Sequence, residues 1–327
     1  MKKVLAAMLA FSLSLCLFAK GGGEKTAEKI TIRWGSVHAD THPATKMMMK
    51  VIEKVNAQCE GVKIEGYPNG QLGSSRDLVE GVQVGLVDMC TEGPAQFATS
   101  GVALADLCEA PYLWKDVAHM SRALNGGFGD MINKQFAEVN VKMLGSFYYG
   151  TRQLSTNKPI SSVKDMTGMK IRVPESTLYL EMVKSWGAKA TPINFNELYL
   201  SLQQNVVDGQ ENPVTTFNSG KFYEVQKYIN ITNHIICPNM IFINKDVWNK
   251  VSAKDQAVIK AAVAEAIAWQ DSVVLAAEKS LLSELEKKGV KTSRPDVESF
   301  RAVTAPAVQA VFANKWGKDT WSYIQGL

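Results

Sequence analysis

The sequence predicts an α/β protein of two domains with parallel-type sheets, joined by hinge strands and braced by one long helix. Three observations lead there. Strand-like and helix-like segments alternate from residue 29 to residue 91, the order that builds a parallel sheet with helices on its faces. The alternation starts again after Gly145. An apolar stripe at helical spacing then runs over 252–287 with neither glycine nor proline inside it, a length of about 54 Å at ~1.5 Å rise per residue. The 327-residue chain also exceeds the ~250–300 residues at which a single core stops growing.

The elements follow in order. Met1-Lys2-Lys3 and the apolar run 4–19 have the basic start and short apolar core of a secretory signal, with cleavage expected after Ala19. Cys16, preceded by Leu13-Ser14-Leu15, offers a lipid-anchored alternative in which 20–25 is a flexible tether. Residues 29–35 read as a strand, and 43–58 as a helix with Pro43 in its first turn. A second strand, 62–67, closes at Pro68-Asn69-Gly70. A helix over 75–84 stops at Gly85, and 87–91 is a third strand. In the second half 146–149, 171–173 and 190–192 read as strands, 177–186 and 196–205 as helices, and 207–210 leads into another strand. Chain crossings near 145–150 and 234–240 imply a hinge of paired strands. They divide the chain into a first domain, 27–149 with 238–275, and a second, 150–237 with 276–327. The long helix opens at a Ser252 cap with Asp255 three residues on. Its stripe is Ile259, Ala262, Val263, Ala266, Val273, Ala277, Leu281 and Leu285, and it ends at Lys287-Lys288-Gly289.

Charge and composition exclude several function classes. The formal charge is +4, two of those cations leave with the signal, and no polybasic run suits nucleic acid. Cys59, Cys90, Cys108 and Cys237 show no metal-ligand spacing and read as buried free thiols, although an exported protein can oxidise such cysteines. His38-Ala39-Asp40-Thr41-His42 has the two-histidine spacing of a zinc helix but lacks its glutamate and runs into Pro43, so no metal is expected. No nucleophile-elbow pattern appears either. An enzyme is not expected, and neither is a cofactor.

What remains points to binding. In Gly168-Met169-Lys170-Ile171-Arg172-Val173-Pro174, Ile171 and Val173 share one face of a strand and Arg172 stands alone on the other. Pro174 ends the strand, which puts a guanidinium where open α/β sheets build their ligand crevices. Its donor fork matches a carboxylate bidentately. Gly150-Thr151-Arg152-Gln153 supplies a second arginine, Arg152. Asn212, in Gln210-Glu211-Asn212-Pro213, reads as the cap of a helix beginning at Pro213, as an anion-binding amide, or as both. Phe195 reads as a core residue or an aromatic wall. Glu92, before the turn Gly93-Pro94, reads as a solvated acid or as a reader of hydroxyls.

On these residues the chain resembles the extracytoplasmic substrate-binding subunit of a tripartite ATP-independent periplasmic (TRAP) transporter, the dicarboxylate-binding P-subunit family. The resemblance covers nearly all of the mature chain. It is carried by Gln71-Leu72-Gly73, by the Arg172 segment, by Asp208-Gly209-Gln210-Glu211-Asn212-Pro213 and by Lys221-Phe222-Tyr223-Glu224-Val225-Gln226-Lys227. It implies a periplasmic-binding-protein-like fold and residence in the periplasm, free or anchored through Cys16. It also implies delivery to a TRAP membrane permease by what is expected to be a monomer. In the family the strand arginine, here Arg172, clamps a substrate carboxylate; in sialic-acid-binding members the arginine and asparagine that fall on Arg152 and Asn212 assist. Those members are similar to this chain through Thr232-Asn233-His234 but place an arginine where it has Gln96, and differ around Glu92 and Gly93. The expected ligand is therefore a monocarboxylate sugar acid, uronate or sialic-acid-like, with a four-carbon dicarboxylate as the alternative. Its hydroxyls are expected to face Glu92, Gln96 and His38 or His42.

Overall fold

The computed structural model describes residues 29–317 and 319–327; the signal, the Cys16 anchor and the tether expected from the sequence lie outside them. The first domain opens with β1 (Ile30–Gly35), α1 (Pro43–Gln58), β2 (Val62–Tyr67), α2 (Ser75–Val84) and β3 (Met89–Glu92). Two 3₁₀ helices, Pro94–Ser100 and Asp106–Glu109, lead into α3 (Val117–Leu124) and α4 (Gly127–Glu138). The long strand β4 (Val141–Thr156) follows, then β5 (Lys170–Val173), α5 (Thr177–Ser185), β6 (Lys189–Pro192), α6 (Phe195–Gln203), β7 (Gly209–Pro213) and α7 (Val214–Ser219). A second long strand, β8 (Tyr228–Asn244), precedes α8 (Lys245–Lys250), α9 (Ala253–Lys287), β9 (Lys291–Ser293), α10 (Val297–Trp316) and α11 (Thr320–Gln325). No helix among the described residues is long and apolar enough to cross a membrane.

The hinge strands are longer than their sequence suggested. β4 and β8 pair antiparallel along nearly their whole length, with register shifts at Met143/Gly145, Tyr148/Gly150 and Arg152/Leu154. β3 pairs with the far end of β8, and β7 with the far end of β4. The two halves therefore fuse into one nine-stranded sheet among the described residues, ordered β2-β1-β3-β8-β4-β7-β5-β6 with β9 beside β8, in place of two separate sheets. Gly150 sits at a shift with φ +134°, and a Cβ there would lie 2.6 Å from Pro213 Cβ. Only glycine takes that conformation at low cost.

The two halves repeat each other. Residues 81–92, GVQVGLVDMCTE, lie over 201–212, SLQQNVVDGQEN. Each helix ends at a left-handed residue, Gly85 (φ 79°) and Asn205 (φ 56°). Val87 and Val207 are both buried. Asp88 accepts a bond from the Arg33 amide at 2.9 Å and Asp208 one from the Lys170 amide at 2.7 Å, each tying the turn to the first strand of its own half. The repeat places Glu92 and Asn212 at equivalent strand ends, facing each other's domain.

α9 is unbroken and packs on α1 and β4, then on α7 and β9, so it braces both domains. Ser252 caps it by accepting from the Asp255 amide at 3.1 Å, while the Asp255 carboxylate turns away to the Gly61 amide at 3.2 Å. Its buried stripe uses Gln270 and Val274, not Val273 and Ala277, because four-residue steps from Ala266 keep one helix face inward. Asp271 and Glu278 accept from the Tyr148 amide at 2.8 Å and the Thr151 amide at 2.7 Å, holding the irregular part of β4. The last helices return to the first domain, where His119 Nε2 meets the Ile324 carbonyl at 2.8 Å and Lys315 pairs with Asp106. Cys59, Cys90, Cys108 and Cys237 are buried free thiols.

Candidate functional site

Strand ends from both halves converge on a small cavity of about 60 Å³ between the domains. Arg172, Arg152, Asn212, Phe195, Glu92, Gln96 and His38 all line it. The structure thus brings these seven together, while His42 is not among the lining residues and stacks on His38. Ligand sites typically hold ~300–1,000 Å³, several times this volume.

Arg172 comes off the end of β5 and is only 3% exposed. Its Nε donates to the Ile193 carbonyl at 2.8 Å, its guanidinium lies 5.9 Å from the centre of the Phe195 ring, and no carboxylate among the described residues pairs with it. Burial pushes its pKa down to about 10; Glu211 opposes that and Arg152 adds to it. A buried cation without a counter-ion is costly.

Arg152 is arranged otherwise. Its Nε and Nη2 form a fork on the Glu211 carboxylate, Nη2 also donates to the Glu211 carbonyl at 2.7 Å, and the pair is buried. The neutral His234 ring donates from Nε2 to the same carboxylate at 3.0 Å; burial keeps it below its ordinary pKa. Burial works against the charge on Glu211, but Arg152 and His234 hold its pKa below the usual value. Arg152 therefore reaches the cavity already neutralised. Asn212 is a strand residue, and Pro213, not Asn212, stands at the start of α7 with no side-chain cap, which removes the capping reading. Its Nδ2 donates to Gln210 Oε1 at 2.6 Å.

The opposite wall is polar and starved of partners. Glu92 is buried, its Oε1 has no hydrogen-bond partner, and its pKa is pushed up to about 8 by burial, with Glu109 adding to the rise. At neutral pH its carboxyl is mostly protonated, able to donate as well as accept. Neither ring nitrogen of His38 finds a partner, and burial holds the ring neutral, down to about 4. His38 stacks on His42 with centroids 4.5 Å apart and touches Tyr149 and Phe195 edgewise or tilted. His42 accepts from the Ala44 amide through Nδ1 at 3.0 Å, so its Nε2 donates to Thr216 of the second domain at 3.2 Å. Among the described residues no three metal-ligating side chains cluster.

Ser75, Glu109, Tyr149, Tyr179 and Asn239 also line the cavity and were not read from the sequence. Tyr179 donates across the cleft to Glu109, which also accepts the Ala95 amide at 2.9 Å. A signal for Glu109 existed: with Asp106 it is one of two acids in the otherwise apolar stretch Leu104 to Ala110, where an acid is buried only with partners. Tyr149 and Tyr179 carry no such mark, since aromatic residues in strands and helices are ordinarily core.

Residues 34–315 match the family described as bacterial extracellular solute-binding protein, family 7. The chain is 34% identical over 282 residues to the sialic acid-binding periplasmic protein SiaP of Vibrio cholerae, covering 85% of this chain and 86% of that one. It superposes with a TM-score of 0.85 and 30% identity on a TRAP periplasmic solute-binding protein of Roseobacter denitrificans with bound L-galactonate, covering 92% and 99% of the two chains. A Citrobacter koseri TRAP periplasmic solute-binding protein with bound D-glucuronate gives a TM-score of 0.85 at 28% identity, covering 91% and 99%. The chain belongs to this family of TRAP periplasmic solute-binding proteins.

Proposed function

We propose that this TRAP solute-binding protein captures a monocarboxylate sugar acid, of uronate or sialic-acid-like type, in the periplasm and delivers it to a membrane permease. The observation that carries this reading is the charge balance of the cavity. Arg152 is matched by Glu211, His38 is neutral, Glu92 is mostly protonated at neutral pH, Glu109 has its pKa raised by burial and is bonded to Tyr179 and the Ala95 amide, and Arg172 has no counter-ion among the described residues. One free cation suits one carboxylate, held bidentately by the guanidinium with Asn212 beside it. A second carboxylate would find no second free cation in the lining of the cavity.

The far wall supports the sugar part. The unpartnered Glu92 Oε1 and the two His38 ring nitrogens are buried polar atoms that a polyhydroxylated ligand satisfies and a simple diacid leaves bare. Gln96 and the edge of Phe195 complete the enclosure. Binding closes the domains about the β4–β8 hinge, dividing 27–149 with 238–275 from 150–237 with the chain from 276 onward, except that the end of α10 and α11 run back to the first domain. Bound acids in similar structures, L-galactonate and D-glucuronate, are of the same chemical class. Calorimetry with D-glucuronate, D-galacturonate, L-galactonate and succinate tests the reading. The sugar acids should bind and succinate should not compete; displacement of all three by succinate would overturn it. Arg172→Lys keeps the charge and loses the fork, which should cost about 1.5–3 kcal/mol, about 10- to 150-fold in affinity.

A further inference from the structure

A second chamber borders the first. It holds about 370 Å³ and shares Gln96 with the inner cavity. The chain itself links the two: Arg172 and Pro174 line the inner cavity, and Glu175 and Ser176, the next residues, line the outer one. Thr99 faces it from the first domain.

Ser176 is the telling residue. It occupies the N-cap position of α5, where a hydroxyl ordinarily accepts from the first helical turn, yet its side chain makes no capping bond. Its Oγ is buried and has no partner at all, in a residue only 3% exposed. A hydroxyl placed at a cap that it does not make, on the wall of a chamber, is free to bond a ligand. The chamber's charges set the class of that ligand. Arg76 bonds Glu80 at 2.8 Å and reaches across the cleft to Glu175 at 4.0 Å, so one cation faces two carboxylates. A further carboxylate would be repelled there; neutral hydroxyls would not.

We infer that the outer chamber is a second subsite for an uncharged, hydroxylated extension of the acid, so that the ligand class reaches to a hexuronate joined to a neutral sugar. This rests on the sugar-acid reading of the inner cavity. The inner cavity, at about 60 Å³, takes the carboxylate end under Arg172, Gln96 touches the middle, and the extension lies against Ser176 and Thr99.

Calorimetry on the mature chain with a hexuronate and with an aldobiouronic acid, one hexuronate linked to one neutral hexose, tests this. The longer acid should bind the wild type at least as tightly as the shorter one. Thr99→Trp, at an exposed position on the chamber wall, should weaken the longer acid by about 10-fold or more and leave the hexuronate within about twofold. Ser176→Ala, which removes no cap, should weaken only the longer acid, by about threefold or more. Retained hexuronate binding shows that each variant is folded. If the longer acid fails to bind the wild type while the hexuronate binds, or if both variants treat the two acids alike, the second subsite is wrong and the inner one stands. If neither acid binds the wild type, the sugar-acid reading falls and takes this one with it.

Discussion

Glu211→Gln should do two things at once, because Glu211 both stabilises the fold and sets the cavity's charge. The carboxylate takes a guanidinium fork from Arg152 and a bond from His234 at 3.0 Å, all in buried surroundings. The substituted amide would be neutral, and Arg152 would stay charged and buried beside Arg172. Removing one partner of a buried ion pair typically costs about 3–5 kcal/mol. At about 2 °C per kcal/mol for a chain of this size, the melting temperature should fall by about 6–10 °C. The cavity would then carry two free cations in place of one. Succinate should gain a charge-assisted contact of about 1.5–3 kcal/mol, a rise of about 10- to 150-fold relative to the wild type, and should stabilise the variant more than a hexuronate does. Scanning calorimetry reads the first effect and titration calorimetry with succinate and D-galacturonate the second. A fall of less than about 2 °C together with an unchanged succinate-to-galacturonate ratio would refute the claim that Glu211 neutralises Arg152 and leaves Arg172 as the single free cation.

Further outcomes follow from the same geometry. Glu92 has its folded pKa raised to about 8, so its contribution to stability is fully present below the ordinary carboxyl pKa and is lost as pH rises through about 8. Melting curves should therefore decline between pH 6.5 and 8 in the wild type more than in Glu92→Gln; parallel profiles would show that Glu92 is not buried as described. His38 has the opposite sign: lowered to about 4, it withholds a proton that the unfolded chain binds, so acidification from pH 6.5 toward 4 should destabilise the wild type more than His38→Gln. Gly150→Ala puts a Cβ 2.6 Å from Pro213 Cβ at φ +134° and should cost about 1–3 kcal/mol, read by chemical denaturation. Small-angle scattering should show a smaller radius of gyration when a bound sugar acid is added, as expected for hinge closure; identical profiles with and without saturating acid would argue for a rigid site.

Periodicity and punctuation alone determined the early strands and the helices α1, α2, α5, α6 and α9, but not α3, α4, α8, α10 or α11. Pro43, Gly85 and the Ser252 cap mark α1, α2 and α9 within a residue or two, because helix ends are set by backbone chemistry that each residue carries with it. Arg172 was legible for the same reason: a lone charged residue between Ile171 and Val173, before a proline, has one face to occupy. Tertiary structure decided the rest. β4 and β8 run 16 and 17 residues, but their glycines, asparagines and polar turns break any alternation, since each half of the strand packs in a different domain and the bulges between them follow the hinge. That Arg152 is spent on Glu211 while Arg172 is free could not be read from either segment. Both arginines follow similar strand-like patterns, and which one finds a carboxylate depends on β7 lying against β4. The same holds for the unpartnered atoms of Glu92, His38 and Ser176. Their residue types are ordinary, and only the enclosure built by two distant halves of the chain leaves them buried with nothing to bond.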